Sequence, residues 1–590
     1  MKDGFIRVAA ATPTIKVADP EYNRKQIVKL IEEGANEQVK IMVFPELCLT
    51  GYTCQDLFMQ LPLIRKAKEE LKRIIDASKP LDMLIFVGLP WEMDGKLYNG
   101  AAAICHGELL GIVPKKHLPN YSEFYELRNF CPGNDQAIET WDPDFKDWIY
   151  MGSHMLFRCR EIPWLVVGAE VCEDVWVPCP PSISHAMAGA TVIVNCSASD
   201  ETTGKDEYRH NLICGQSARL VCGYIYSNAG EGESTQDLVF GGQNIIAENG
   251  TCLVESKRFV NEMVIADMDL ERLNSERRRM STFPSQSQAV AMGAFPGQKE
   301  SSRLRENYME VIFSLEGEGT KEAAAKETTW LLKRNIDKAP FVPHDRQKRE
   351  KRCEEILSIQ AMGLKKRLEH TGCGHAVVGL SGGLDSTLAL LVTVRAFDWL
   401  KLPRNQIHCI TMPCFGTTDR TYHNACQIAR QVGASLQEIA IKDAVTLHFR
   451  DIGQDPDQHD VTYENSQARE RTQILMDIAN QINGMVIGTG DMSELALGWA
   501  TYNGDHMSMY GVNAGVPKTL VRHLVRYFAD TCGEEELKKV LEDVLDTPVS
   551  PELLPPENGE ISQKTEDLVG PYELHDFFLY YILRFGYMPS

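Results

Sequence analysis

Three side chains that together suit acyl transfer stand at the ends of apolar runs in the first half of the chain. Glu46 follows Ile41-Met-Val-Phe-Pro45, Lys115 follows Gly111-Ile-Val-Pro114, and Cys172 follows Val166-Val-Gly-Ala-Glu-Val171. A thiolate can attack an amide carbonyl, a glutamate can take the thiol proton and later pass it to departing ammonia, and a lysine can steady the tetrahedral oxyanion. Each residue alone has a plainer reading. Cys172 is one of 17 cysteines, most of them expected to be small buried hydrophobes. Glu46 or Lys115 alone would be an ordinary salt-bridging residue. The joint pattern, one reactive group per strand end, marks a candidate pocket.

The second half carries a different signal. Val377-Val-Gly-Leu-Ser-Gly-Gly-Leu-Asp-Ser-Thr387 passes from an apolar strand into small and hydroxylic residues that open a helix. Ligands of α/β sheets bind at that end of a strand. Gly382 and Gly383 let the backbone come close, Ser381 and Ser386 offer hydroxyls, and the helix N-terminus favours phosphate oxygens. The string has neither the Gly-Lys-Ser/Thr of a Walker loop nor the G-x-G-x-x-G of a dinucleotide fold. An aspartate inside a phosphate cradle repels its ligand unless a cation lies between them, so Asp385 implies Mg²⁺. Gly-Gly alone would be a turn capped by Asp385 or Ser386. The whole string after a fully apolar strand points instead to the pyrophosphate end of ATP.

The elements that must hold these groups follow from periodicity. From Phe5 to about Glu255, apolar runs (Ile6–Ala10, Ile41–Phe44, Leu84–Gly88, Trp164–Gly168, Val192–Asn195, Tyr224–Ser227) alternate with amphipathic segments such as Tyr22–Ala35 and Tyr208–Leu220. Tyr98–Val113 around His106-Gly107 and Leu238–Glu255 around Asn249-Gly250 read as antiparallel hairpins, so the first sheet system is mixed. Between about Asp267 and Asp345 the rhythm degrades into charged and Gly/Ser-bearing sequence with an Ala-rich helical run at Glu316–Lys326. A helix at Arg346–Glu369, strand His375–Leu380, helix Thr387–Phe397, strand Gln406–Pro413, helix Asp419–Val432 and strand Met485–Thr489 then predict a helix-covered parallel sheet. The expected organisation is an α/β chain with domains at 1–266 and 346–590 joined by a linker at 267–345.

A length of 590 residues with 43% hydrophobic content exceeds one compact core. A net charge of −21 argues against nonspecific nucleic-acid binding, which needs a dense basic face. The apolar runs are too short to span a membrane and Met1–Pro20 does not read as a signal segment, so a cytoplasmic protein is expected. The scattered cysteines lack C-x-x-C spacing.

Phe44-Pro-Glu46, Val113-Pro-Lys115 and Glu170-Val-Cys-Glu-Asp174 resemble the motifs of the nitrilase superfamily. The resemblance implies an α-β-β-α sandwich and a Glu-Lys-Cys triad, with Glu46 as base, Lys115 as oxyanion partner, Cys172 as nucleophile and Glu126 as the additional glutamate beside them. By resemblance to glutamine-specific members, Tyr121, Ser199 and Lys205 would hold glutamine, Lys205 standing where arginine is expected. Its ammonium would hold the α-carboxylate less rigidly than a guanidinium fork.

Ser381–Ser386 is similar to the loop of the ATP-pyrophosphatase family, whose Rossmann-like members adenylate a carboxyl or related oxygen before a nitrogen or sulfur nucleophile displaces AMP. Glu464-Asn-Ser-Gln-Ala-Arg-Glu-Arg471, Gly488-Thr-Gly-Asp-Met-Ser-Glu-Leu495, Trp499-Ala-Thr-Tyr-Asn-Gly-Asp505 and Val516-Pro-Lys518 occur in the order found in NAD synthetases. That resemblance implies ATP contacts at Ser381, Gly382, Gly383, Asp385, Ser386, Met412, Arg469 and Thr489. It implies contacts to nicotinic acid adenine dinucleotide (deamido-NAD) at Asn465, Glu494, Trp499, Asp505 and Lys518, and Mg²⁺ at Asp385 and Glu494.

A nitrilase-like half ahead of such a half is the arrangement of glutamine-dependent NAD synthetases. The resemblance implies glutamine, ATP and deamido-NAD as substrates, ammonia passing between two sites, and a homo-oligomer, usually an octamer. It also implies a longer C-terminus with a further substrate-contacting lysine, and no residue near Ser590 is given that role. A guanylate synthetase would use another glutaminase fold and lack the Gly488–Asp505 strings. Asp385 and Glu494 count against a stand-alone carbon-nitrogen hydrolase, and the triad with the phosphate loop counts against a non-catalytic nucleotide-binding regulator.

Overall fold

The chain divides into two compact units, Met1–Asn335 and Ile336–Met588. The computed structural model describes residues 4–284, 307–316, 331–504, 506–548, 553–555 and 565–587. Among them no helix is long and apolar enough to cross a membrane.

The first unit packs two mixed sheets face to face. One has eight strands in the order Met263–Asp269, Phe5–Ala11, Ile41–Val43, Leu84–Met93, Lys96–Cys105, Glu108–Pro114, Asp147–Met151 and Ile138–Asp142. The other has seven, in the order Thr251–Glu255, Ile245–Glu248, Gly223–Asn228, Val192–Ser197, Val166–Val171, Met155–Cys159 and Met309–Phe313. Alternation sorts the side chains: Val8, Ala10, Val43 and Phe86 meet Val167, Ala169, Val194 and Ile225 between the sheets. Phe86 and Phe157 meet edge to face at 5.5 Å. The opposite faces are covered by helices Pro20–Asn36 and Leu61–Ser78 on one side, and by Pro181–Met187 and Lys205–Leu220 on the other. The layers are therefore α-β-β-α, and both expected hairpins form, with Asn249 and His106 in the left-handed region at their turns.

The stretch read as a linker is not unstructured at its start. Met263–Asp269 pairs antiparallel with Phe5–Ala11, and Met309–Phe313 pairs parallel with Met155–Cys159, so this region supplies an edge strand to each sheet. Arg7 fixes the first edge by a two-pronged ion pair with Asp267 at 2.8 and 2.9 Å. Edge strands of seven and five residues with partly exposed faces carry too little alternation to stand out from charged surroundings. Residues 317–326 of the Ala-rich run lie outside the described residues.

The second unit has a five-stranded sheet in the order Ser435–Glu438, Ile407–Thr411, His375–Gly379, Gly484–Gly488 and Tyr510–Gly511, every pair parallel. Ala376 and Val378 face a core that includes Leu388, Leu391 and Leu524, while Val377 and Val486 face Phe449 and Tyr463. The central strand is buried on both faces, as its uninterrupted apolar run requires. The last described helical segment is in two parts, α-helical over Tyr572–Phe578 and π-helical over Leu579–Arg584.

Candidate functional site

Glu46, Lys115 and Cys172 are brought together at the strand ends of the first unit, all buried. The Lys115 Nζ lies 2.7 Å from Glu46 Oε1 and 2.6 Å from Glu126 Oε1, so one ammonium bridges both glutamates. Glu46 Oε1 also accepts from Asn99 Nδ2 at 2.5 Å and its Oε2 from the Ala198 N–H at 2.9 Å. Tyr52 Oη donates to Glu126 Oε1 at 2.8 Å. Gly88 makes the approach of the Glu46 segment feasible: a Cβ there would fall 2.3 Å from Pro45 O and 2.4 Å from Leu47 N.

Cys172 follows its strand with φ of +43°, a left-handed conformation that costs a side-chain-bearing residue energy and turns the thiol out of the strand line. Its N–H donates to Asn195 Oδ1 at 3.0 Å. Burial first, and then the Glu46 carboxylate, push the thiol well above its usual range. Burial alone would lower the Lys115 pKa, but Glu126 and Glu46 outweigh it and hold the ammonium charged. Burial raises Glu126 to about 7 against the pull of Lys115. The cluster thus presents a neutral thiol, a fixed cation and a carboxylate that can take a proton.

The expected glutamine-binding residues lie around this cluster. Tyr121 is exposed and donates to Glu173 Oε1, beside Cys172, at 2.8 Å. Ser199 is buried, its N–H donating to Asn228 Oδ1 and its carbonyl accepting from Asn228 Nδ2. Lys205 opens helix Lys205–Leu220, pairs with Asp200, and stands 5.5 Å from the Trp176 ring. One residue missed from sequence stands out: Arg209, fully buried one helical turn on, donates to Ser199 Oγ at 3.3 Å, Asp200 O at 2.8 Å and Glu201 Oε1 at 2.7 Å. Its signal was the i, i+4 spacing from Lys205.

In the second unit the Ser381–Ser386 loop ends strand His375–Gly379 and opens helix Leu384–Leu400. Gly382 has φ of +86° and a Cβ there would fall 2.1 Å from Thr421 O, so only glycine lets the loop pass this neighbour. Ser381 Oγ caps the turn, accepting from Gly383 N at 3.2 Å, and meets Ser386 Oγ at 3.1 Å. A cavity of about 280 Å³ opens over it, its wall lined by Ser381, Gly383, Asp385, Ser386, Met412, Thr489, Glu494 and Trp499.

Arg469 does not reach this wall. Its Nε donates to Tyr502 O at 3.1 Å in an exposed setting, and Arg471 lines the cavity instead. Two residues along helix Val461–Ile482 is a rotation of about 200°, which sends the two guanidiniums to different faces. Asn465 also stands off the cavity, accepting from Thr501 Oγ1 at 2.7 Å. Asp505 lies outside the described residues.

Lys518 sits where three carboxylates converge, its Nζ 2.8 Å from Asp385 Oδ2 and 2.7 Å from both Asp491 Oδ2 and Glu494 Oε1. Asp491 went unassigned in the sequence although it caps helix Met492–Leu497 through the Glu494 N–H at 2.9 Å. Burial, then Asp385, raises Glu494 to about 8, and burial, against Lys518, raises Asp491 to about 6. Asp385 Oδ1 is buried with no hydrogen-bond partner. Three hard oxygen ligands within reach of one another and an orphaned carboxylate oxygen fit a divalent cation such as Mg²⁺. Asp576 holds the residue after Lys518, accepting from Thr519 N at 2.9 Å, and also accepts from Ser493 Oγ. Asn513 ties Asp385 O to Thr489 O at 2.9 and 3.0 Å.

A carbon-nitrogen hydrolase domain is followed by an NAD synthase domain. The profile of the carbon-nitrogen hydrolase family matches residues 7–278, and that of NAD synthase matches residues 356–584. Over 595 residues the chain is 42% identical to a glutamine-dependent NAD(+) synthetase of Mycobacterium leprae, covering 100% of this chain and 84% of that protein. It is 40% identical over 598 residues to one of Mycobacterium tuberculosis, with the same coverage. The chain belongs to the family of glutamine-dependent NAD(+) synthetases. A solved structure of a synthetase so named from Cytophaga hutchinsonii aligns over 92% of this chain and 84% of that one at 22% identity, with a TM-score of 0.40.

Proposed function

We propose that the chain converts deamido-NAD, ATP and glutamine into NAD, AMP, pyrophosphate and glutamate. The observation that carries this reading is the pairing, on one chain, of a buried Glu46–Lys115–Glu126 cluster beside Cys172 with a phosphate loop facing three carboxylates.

In the first unit the Cys172 thiol attacks the side-chain amide of glutamine as its proton passes to Glu46. The resting thiol is neutral, so attack and proton transfer are coupled rather than starting from a standing thiolate. Lys115 and adjacent donors steady the oxyanion. Glu46 returns the proton to the departing nitrogen, ammonia leaves, and water cleaves the thioester to release glutamate. Glu126 and Tyr52 keep Lys115 in place. Tyr121, Ser199, Lys205 and, through Ser199, Arg209 hold the amino-acid end of glutamine.

In the second unit ATP lies along Ser381–Ser386 with its adenine toward Met412, and the deamido-NAD carboxylate attacks the α-phosphorus, expelling pyrophosphate. Ammonia then displaces AMP and forms the amide. Asp385, Asp491 and Glu494 would hold Mg²⁺, which when bound offsets the repulsion between a carboxylate and a polyphosphate. Arg471 and Lys518 supply further positive charge at the phosphates, and Trp499 bounds the deamido-NAD side, with Asn465 bonded to Thr501 outside the cavity. A cytoplasmic homo-oligomer, by family resemblance an octamer, completes the reading.

The test supplies deamido-NAD, ATP and Mg²⁺ with either glutamine or ammonium and measures NAD. NAD formed with both nitrogen sources is expected, and none with either would overturn the reading.

A further inference from the structure

Away from both sites, helix Lys205–Leu220 and strand Thr251–Glu255 bring His210, Cys252 and Glu255 together on the surface of the first unit, with Cys214 against His210. His210 and Cys214 are four residues apart and so share one face of the helix. Their ligand atoms, Nε2 and Sγ, are 3.7 Å apart. The edge of a tetrahedron with Zn–S of about 2.3 Å and Zn–N of about 2.0 Å is about 3.5 Å. The Cys214 and Cys252 thiols lie close enough for each to shift the other's pKa, and a ligand atom each from His210, Cys252 and Glu255 lies within 4.8 Å of the others. Both thiols are free and only partly buried, so an ion can reach them.

The histidine is already oriented. His210 Nδ1 lies 2.7 Å from Glu255 Oε2, which assigns the ring proton to that side and leaves Nε2 as a lone-pair donor facing the thiols. A carboxylate behind the non-ligating nitrogen is the usual support of a metal-bound imidazole. Glu255 is held in turn by Gln243, which accepts from Arg209. The helix and hairpin are in close contact here: a Cβ on Gly250, at the turn before the strand, would fall 2.8 Å from Ala218 Cβ.

We propose that Cys214, Cys252 and the Nε2 of His210 bind a zinc-class divalent transition metal, with Glu255 orienting the histidine. Binding releases the thiol protons and leaves a fourth position for water. The ion clips the hairpin to the helix that begins at Lys205, and Gln243 links it to buried Arg209. It is a structural clamp on the glutamine-binding side of the first unit, separate from the three carboxylates of the second unit, which offer no sulfur.

The reduced, chelator-treated full-length chain is titrated with Co²⁺ and then Zn²⁺. A thiolate-to-cobalt charge-transfer band saturating at one ion per chain, and displaced by Zn²⁺, is expected. The band should disappear in Cys214→Ser and in Cys252→Ser, persist in the control Cys179→Ser, and require about 10- to 100-fold more metal in Glu255→Gln. Circular dichroism confirms that each variant is folded. No band in the wild-type chain, or a band unchanged in folded Cys252→Ser, overturns the proposal. So does a Cys214–Cys252 disulfide whose reduced form takes no metal.

Discussion

Each unit places a lysine among carboxylates, and the two cages differ in closure. Lys115 faces Glu46 and Glu126, and each of those four carboxylate oxygens has a partner from Lys115, Asn99, Tyr52 or the Ala198 N–H. Lys518 faces Asp385, Asp491 and Glu494, a surplus of two negative charges when all are ionised, with Asp385 Oδ1 left unpartnered. The first cage is complete before substrate arrives and suits a fixed oxyanion partner. The second is electrostatically unfinished and opens onto a cavity, as expected where cations and phosphates must enter.

Removing the lysine should separate the cages most sharply. Lys115→Met leaves two buried carboxylates without their cation and should cost the first unit about 3–5 kcal/mol in denaturant unfolding, with glutamine use abolished. A loss below about 1 kcal/mol would mean that the cage is not closed in solution.

Glu170 is the contrasting case of a buried acid with no cation: burial raises it to about 7 while Tyr224 Oη and Ser182 N–H donate to it. Its folded pKa lies above the unfolded value of about 4.5, so the folded state holds the extra proton between those values. Its contribution to stability is present below pH about 4.5 and is lost as pH rises toward about 7, with a slope of at most about 1.4 kcal/mol per unit. Glu170→Gln should remove that slope from the wild-type pH–stability curve, and an unchanged slope would assign it to other groups.

The open cage should titrate against its metal. Glu494 at about 8 is protonated at neutral pH, and a proton there competes with Mg²⁺. Half-saturating Mg²⁺ in ammonium-dependent NAD formation should rise as pH falls from 8 to 6, by up to about tenfold per unit. Independence of pH would remove Glu494 from the metal site. The smallest effect is on stability: Glu494→Gln replaces a carboxyl that already holds its proton at neutral pH and should shift unfolding by no more than about 1 kcal/mol, while NAD formation fails with both nitrogen sources. A loss comparable to Lys115→Met would contradict the difference between the cages.

The reactive strand ends were legible because each ends an apolar run, and the Ser381–Ser386 turn because small and hydroxylic residues follow directly on a fully apolar strand. Asn99 and Tyr52 were not, since each meets its glutamate across more than fifty residues of chain. Asp491 stood inside a quoted string but reads as a helix cap, which it also is. Arg469 and Arg471 show the limit of spacing: both are arginines of one motif, and only the helix rotation decides which reaches the cavity. The edge strand at Met309–Phe313 was hidden because only its last residue is buried, and Met263–Asp269 because Asp267 and Asp269 interrupt its apolar run.

The central claim is that one unit makes ammonia and the other consumes it. Cys172→Ala tests it directly: NAD formation should vanish with glutamine and proceed at a near wild-type rate with ammonium. Equal loss with both nitrogen sources would contradict that division of labour.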